Sequence, residues 1–275
     1  AFSTNAYKKT TLEAAIESIA GIGYAGVEVM ADVPHAYPPE MPTERVMRVR
    51  EMIGRLGMGV SNVNAFTLFA IGDTYHPTWI DNDPAKVAKR VEHTKNVIRM
   101  TAALGGKTIS LQPGGPLGMG GAVERKVALD RYEAGLRECL PLAEELGITL
   151  MVEPEPGLLI QHSWECTEFL KRVNHPNLKM NCDLGHFYCV EEDPASVLRE
   201  CAEWTAHVHL EDIKENRVHQ HHIPGTGAMD WVGIFGALEE IKYEGWATVE
   251  LYPFETTAEM AARKAFEFLS RFDVK

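Results

Sequence analysis

The 275-residue sequence predicts an α/β protein, a single (β/α)8 TIM barrel domain spanning residues 1–275. Three observations carry that prediction. Short apolar runs alternate with segments of helical spacing eight times along the chain. No composition break marks a domain boundary, and eight such units in about 250 residues is the usual size of this barrel. Parallel pairing follows, because each return crossover needs a helix. An open doubly wound sheet is the alternative, but no GxGxxG follows the first apolar run.

The first strand is read in FSTNAY. The helix after it, in TTLEAAIESIAGIG, takes Thr10 or Thr11 as N-cap, buries Leu12, Ala15, Ile16 and Ile19 on one face, and ends at Gly21 and Gly23. AGVEVMA is a buried second strand with Glu28 inside it, and DVPHAYPPEMP, with four prolines, must be a loop. TERVMRVREMIGRLG gives a second helix stopping at Gly57, followed at once by the third strand, MGVSNVNAF. The long irregular stretch LFAIGDTYHPTWIDNDP has the character of a lid or binding loop, with Trp79 as a lid residue able to stack on a substrate or, equally, an interface anchor.

A helix from Pro84 to Leu104 leads to strand KTISLQ, which Gln112 closes. The glycine-rich turn PGGPLGMGG lacks the GxxxxGK[ST] order and reads as a flexible loop. The remaining units are helix Glu124 to Leu146 and strand ITLMVE, helix Ser163 to Val173 and strand LKMNCD, helix Pro194 to Cys201 and strand AHVHLE, then helix Asp230 to Ile241 and strand WATVEL. Helix Thr257 to Phe272 ends the pattern.

Composition narrows the function. Apolar residues at 45% and charged residues at 24% suit a globular protein. No stretch approaches the roughly 18 apolar residues of a membrane span. The opening AFSTNAYKKT has no charged leader followed by an apolar run, so a cytoplasmic location is expected. Five cysteines without a CxxC pair suggest reduced thiols. A formal net charge of −12 repels a phosphate backbone, and no local basic patch offsets it, so no nucleic-acid partner is expected.

Four ionisable groups close the last four strands: Glu153, Asp183, His209 and Glu250. Barrel enzymes keep their chemistry at these strand ends. A carboxylate buried there without a partner costs several kcal/mol. A salt bridge or a helix cap explains any one of the four, but not all four at successive ends. Three carboxylates and one imidazole suit one divalent metal, with manganese, magnesium or cobalt favoured and zinc as the alternative. His207 shares the strand face of His209 and reads as a supporting or core histidine.

The fragments GYAGVEVM, LMVEPEPG, MNCDLGH, HVHLED, PGTGAMDW and ATVELYP are each weakly specific. Their order is more so, with 30 residues from Glu153 to Asp183 and 26 from there to His209. Together they resemble the xylose-isomerase-like barrels, the superfamily of the ketose 3-epimerases, hydroxypyruvate isomerase, inosose dehydratase and, more distantly, endonuclease IV. The resemblance implies one metal held by Glu153, Asp183, His209 and Glu250. It implies Glu153 and Glu250 as the acid/base pair, His186 and Arg217 as contacts to substrate oxygens, and a homo-oligomer. Gln112 and Trp79 are further candidates for substrate contact.

The expected activity is isomerisation or epimerisation of a small sugar or polyol-derived carbonyl compound, by proton transfer through a metal-bound enediolate. A metal-dependent lyase of the inosose or dehydroshikimate dehydratase type is the alternative. Phosphodiester hydrolysis of the endonuclease IV type ranks behind it. In that branch an aspartate and a histidine two residues apart hold an additional metal, and His219 with His221 fits the spacing with one substitution. A solvated histidine-rich loop explains the pair equally well. The branch also needs histidines at the ends of strands three and four, where this chain has Asn62, Asn64 and Gln112. Pro154, Glu155 and Pro156, and the loop HAYPPEMP, depart from the ketose epimerases, so substrate identity does not carry over.

Overall fold

The computed structural model describes residues 1–272. Eight parallel strands close into a barrel in chain order: β1 (Phe2–Ser3), β2 (Gly26–Met30), β3 (Gly59–Asn64), β4 (Thr108–Leu111), β5 (Thr149–Val152), β6 (Leu178–Asp183), β7 (Thr205–Leu210) and β8 (Ala247–Val249). Phe2 pairs with Val27 on one side and Val249 on the other, which seals the ring. The helices are α1 (Leu12–Ile22), α2 (Thr43–Arg55), α3 (Pro84–Leu104), α4 (Arg125–Leu146), α5 (Ser163–Val173), α6 (Leu184–Cys189), α7 (Pro194–Glu200), α8 (Trp231–Glu240) and α9 (Ala258–Leu269).

Local sequence accounts for most boundaries. Thr11 caps α1 by accepting from Ala14 N at 3.2 Å, and Asp83, Asp193 and Asp230 cap α3, α7 and α8 in the same way. Each such cap contributes about 1 kcal/mol. Two expectations needed correcting. The first strand is only Phe2–Ser3, because residues Thr4–Tyr7 turn into a 3-10 helix. Gly21 lies inside α1, which ends at Gly23. One element carried no sequence signal: α6, a six-residue helix that starts directly after Asp183.

The two faces of the strands differ in chemistry. Val27, Val29, Leu150, Val152, Met180, Cys182 and Val208 join the apolar core shared with the helices. The alternate positions turn into the barrel and are largely polar. Asn62 Nδ2 donates to Glu28 Oε2 at 2.8 Å and to Ser110 Oγ at 3.0 Å. His207 joins Asn181 Oδ1 to Thr248 Oγ1, both at 2.8 Å, and Thr248 continues to Ser61 Oγ at 3.0 Å. Register shifts at Val27/Glu28 and at Met180/Asn181 fall on two strands of this network. Such irregularities re-aim side chains next to sites.

Candidate metal centre and active site

Glu153 directly follows β5, Asp183 ends β6, His209 lies one residue before the end of β7, and Glu250 directly follows β8. The barrel brings all four together: one donor atom from each lies within 4.8 Å of the others. His209 Nδ1 sits 3.3 Å from Glu153 Oε1, 3.5 Å from Asp183 Oδ2 and 3.9 Å from Glu250 Oε2. All four residues are at most 5% exposed.

Neutral groups hold the three carboxylates. Asn181 Nδ2 donates to Glu153 Oε2 at 2.8 Å. Asn5 and Asn64 donate to Glu250 Oε1 at 2.8 and 3.1 Å. Asp183 Oδ1 accepts from His186 N at 2.9 Å, which caps α6, while Asp183 Oδ2 is buried without a partner. On the far side of the imidazole, His209 Nε2 contacts Glu28 Oε2 at 2.7 Å.

Electrostatics give the cluster its meaning. Every ion-pair contact made by Glu28, Glu153, Asp183 and Glu250 among the described residues is with a histidine. Burial pushes Glu153 up, and burial pushes Glu250 well above the carboxylate range. Burial opposes ionisation of Asp183 too, but His186 and His209 hold it well below its ordinary value. Burial would lower His209, yet Glu28, Glu153 and Glu250 outweigh that and hold the ring well above the usual histidine range. His209 Nδ1 stands among three carboxylates, and Asn181 Nδ2 lies 3.2 Å from it. An orphaned carboxylate oxygen, oxygen-rich donors and one imidazole fit a divalent ion of the manganese, magnesium, cobalt or zinc kind.

A second convergence lies beside the first. His186 Nδ1 donates to Pro154 O at 2.8 Å and His221 Nδ1 to Glu250 O at 2.9 Å. Both Nε2 atoms therefore carry lone pairs, and they face one another at 3.4 Å. His219 Nε2 completes the group, 2.9 Å from His186 Nε2. Burial lowers the pKa of all three rings, to about 4 for His186, about 3 for His219 and about 4 for His221. The loop bearing His219 and His221 is anchored by Asp212. Its carboxylate accepts from Ile213 N, Gly225 N, Met229 N and Trp231 Nε1.

The other expected contacts divide. Gln112 is buried and donates to Tyr75 O at 3.0 Å, and Tyr75 OH donates to Glu155 Oε1 at 3.2 Å, so these residues tie the loop after β3 to the rim. The Arg217 guanidinium lies 4.2 Å from the Tyr188 ring centroid and donates to Tyr188 O at 2.6 Å. The expectation for Trp79 is corrected. Its ring is fully buried in the helix layer, 5.6 Å from the Tyr132 ring and against Gly135 of α4, and it has no face left for a substrate. A groove of about 680 Å³ between α3 and α4, lined by Val87, Lys95, Arg99 and Glu138 among others, lies outside the barrel and holds none of these groups.

Several residues of the site have little or no mark in the sequence. Asn5, Asn64 and Asn181 are visible only as amides in or beside apolar strands. Glu211 is fully buried, its Oε1 accepts from Gly185 N, and its Oε2 has no partner. Its one signal is its position two residues past His209, on the same strand parity. It also explains Gly185, because a Cβ there would overlap Glu211 Oε1.

A closed parallel barrel with ionisable groups converging at its strand C-termini defines a barrel of the enzyme-bearing kind. The chain belongs to the xylose isomerase-like TIM barrel family, whose model matches residues 16–272. It is 23% identical to inosose dehydratase of Clostridium perfringens over 267 residues, covering 88% of this chain and 83% of that protein. The match to inosose dehydratase of Lacticaseibacillus casei is 23% identical and shorter, covering 44% of this chain and about half of that protein, 46%. D-psicose 3-epimerase of Ruminiclostridium cellulolyticum is 27% identical over 131 residues, 46% of this chain and 43% of that protein.

Among solved structures, D-psicose 3-epimerase with D-tagatose from Clostridium cellulolyticum H10 superposes with a TM-score of 0.80, at 17% identity and 98% coverage of both chains. The IOLI protein with a zinc atom superposes with a TM-score of 0.81, at 17% identity and 99% coverage of both. At these identities the likeness establishes the fold. The relatives found by sequence are sugar-modifying enzymes. No helix among the described residues is long and apolar enough to cross a membrane.

Proposed function

We propose that this protein is a divalent-metal-dependent isomerase or epimerase of a small polyhydroxy carbonyl compound. The observation that carries the proposal is the convergence of Glu153, Asp183, His209 and Glu250 around an orphaned carboxylate oxygen. A bound ion would supply Lewis acidity, lowering the pKa of the C–H beside a substrate carbonyl. Glu153 directly follows β5 and Glu250 directly follows β8, two strands further round the barrel than β6, and burial raises both above the ordinary carboxylate value; a carboxylate takes a proton and a carboxyl returns one. One removes the proton and the other delivers it to the opposite face of the planar enediolate. His186 and Arg217 are assigned to substrate oxygens, Arg217 after leaving Tyr188, and Gln112 to the rim that positions them. A homo-oligomer acting on a sugar-like substrate in the cytoplasm completes the reading.

The test is to replace Glu153 or Glu250 with Gln and follow solvent deuterium incorporation into ketoses and inososes. Loss of about 10²–10⁴-fold is expected for each. Exchange that persists unchanged sinks the acid/base assignment.

The inosose dehydratase relatives favour a second reading, in which the same groups eliminate water. Loss of 18 mass units, about one water, from an inosose would separate it from isomerisation. The facing Nε2 lone pairs of His186 and His221, with His219 beside them, favour a second cation site. Elemental analysis giving two or three ions per chain would move the reading toward phosphodiester hydrolysis.

A further inference from the structure

We propose that Glu28, which lies outside the ligand set, is the positioning residue that makes His209 a competent ligand. The inference rests on the metal reading above and goes beyond it. Glu28 and His209 are both fully buried, and they meet across the barrel from β2 and β7 with Oε2 and Nε2 2.7 Å apart. Nε2 can only donate there, because a carboxylate oxygen offers no proton. That contact fixes Nε2 as the protonated nitrogen and leaves Nδ1 to face Glu153, Asp183 and Glu250. It also fixes the ring plane, because Asn181 Nδ2 meets the other edge, 3.2 Å from Nδ1, in the place a bound ion would share.

Glu28 is itself held. Asn62 Nδ2 donates to the same Oε2 at 2.8 Å, and Ser110 Oγ takes the other Asn62 proton at 3.0 Å. Glu28 Oε1 is buried without a partner, so nothing competes to turn the carboxylate away from Asn62 and His209. A buried anion on the distal nitrogen makes an imidazole a stronger donor, and partners of this kind typically contribute 10–100-fold to metal affinity. The register shift at Val27/Glu28 sits where the strand must aim this side chain inward. A helix-facing carboxylate at that position would find only the apolar core.

The experiment titrates chelator-stripped protein with Mn²⁺ alone, comparing the natural sequence with Glu28→Gln and Glu28→Ala. Glu28→Gln keeps an acceptor for Nε2–H and removes the charge, and should weaken binding roughly 3–10-fold; Glu28→Ala removes both and should weaken it about 10–100-fold. In the Co²⁺-loaded protein, an exchangeable paramagnetically shifted N–H resonance from His209 should survive in Glu28→Gln and vanish by solvent exchange in Glu28→Ala. A merely structural role would not move that signal. Far-ultraviolet circular dichroism and the melting temperature of the stripped proteins report folding, and if Glu28→Ala does not fold, the Mn²⁺ affinity of Glu28→Gln decides. Variants that bind Mn²⁺ within twofold of the natural protein overturn the role of Glu28 and leave the proposed function standing. A natural protein that takes up neither Mn²⁺ nor Co²⁺ overturns both.

Discussion

Strands β5 to β8 bring Glu153, Asp183, His209 and Glu250 to the barrel mouth, whereas the β1 to β3 side brings Asn5, Glu28, Asn62 and Asn64 to grip those groups from behind. One half concentrates charge. The other offers three amides and a single carboxylate, each aimed at a group of the first half or at the residue that holds it. The division follows from electrostatics: like charges crowded into a low-dielectric interior repel strongly, so the groups that orient them must be neutral or must meet the one imidazole. Amides meet that need, since each gives directed N–H donors without adding charge.

If this division is real, substitutions in the two halves should differ in kind. The largest effect is expected for Asp183→Asn. It removes a charge from the centre of the cluster, and breaking a buried charged arrangement costs about 3–5 kcal/mol, or roughly two to three and a half decades in Mn²⁺ affinity. A titration showing less than a tenfold change would break the comparison. A smaller effect is expected for Asn5→Ala, which leaves Glu250 Oε1 with Asn64 as its remaining amide donor. Losing one such donor costs about 1–3 kcal/mol. It should appear as a slower deuterium exchange with Mn²⁺ affinity nearly intact. Equal losses in both measurements would show that the amide half serves binding alone.

The smallest effect belongs to a residue in neither half. His93, on α3, is 5% exposed, has no partner for either ring nitrogen, and is lowered to about 3 by burial and by Arg90. The unfolded chain takes up this proton near the ordinary value of 6.5 and the folded chain does not. Stability is therefore full above about pH 6.5 and falls as the pH drops toward 3. His93→Phe keeps a ring to stack on Tyr37 and should remove about 1 kcal/mol of the loss between pH 7.5 and 6. Melting curves would show it as roughly 2–4 °C. Mn²⁺ affinity should not change.

The same contrast governs what the sequence made legible. A carboxylate at the end of an apolar, strand-length run is costly enough to stand out, and all four groups at the strand ends could be named, together with the eightfold strand and helix alternation that closes the barrel. The gripping half was illegible because its partners are far apart in the chain: Asn5 and Glu250 are separated by 245 residues. An asparagine near a strand also resembles any loop residue. Trp79 misled because an aromatic in a long loop suits a lid, and only the packing shows it folded back between α3 and α4 against Tyr132. The α6 segment LGHFYC is too short to display a helical period, and Glu211 reads as an ordinary surface acid until Gly185 is seen pressed against it.

Asp212 closes the loop after β7 with four hydrogen bonds, and a Cβ at Gly227 would overlap its Oδ1. Residues 214–224 hang from this clasp, and the pairing of Asp212 with His222, Arg217 on Tyr188 O and His221 on Glu250 O steady them further. Changing His219 alters what the mouth can hold without touching the Asp212 clasp, whereas changing His221 also removes the bond from its Nδ1 to Glu250 O. Replacing Asp212, Gly225, Gly227 or Trp231 should therefore loosen the loop at its root, where its two ends meet.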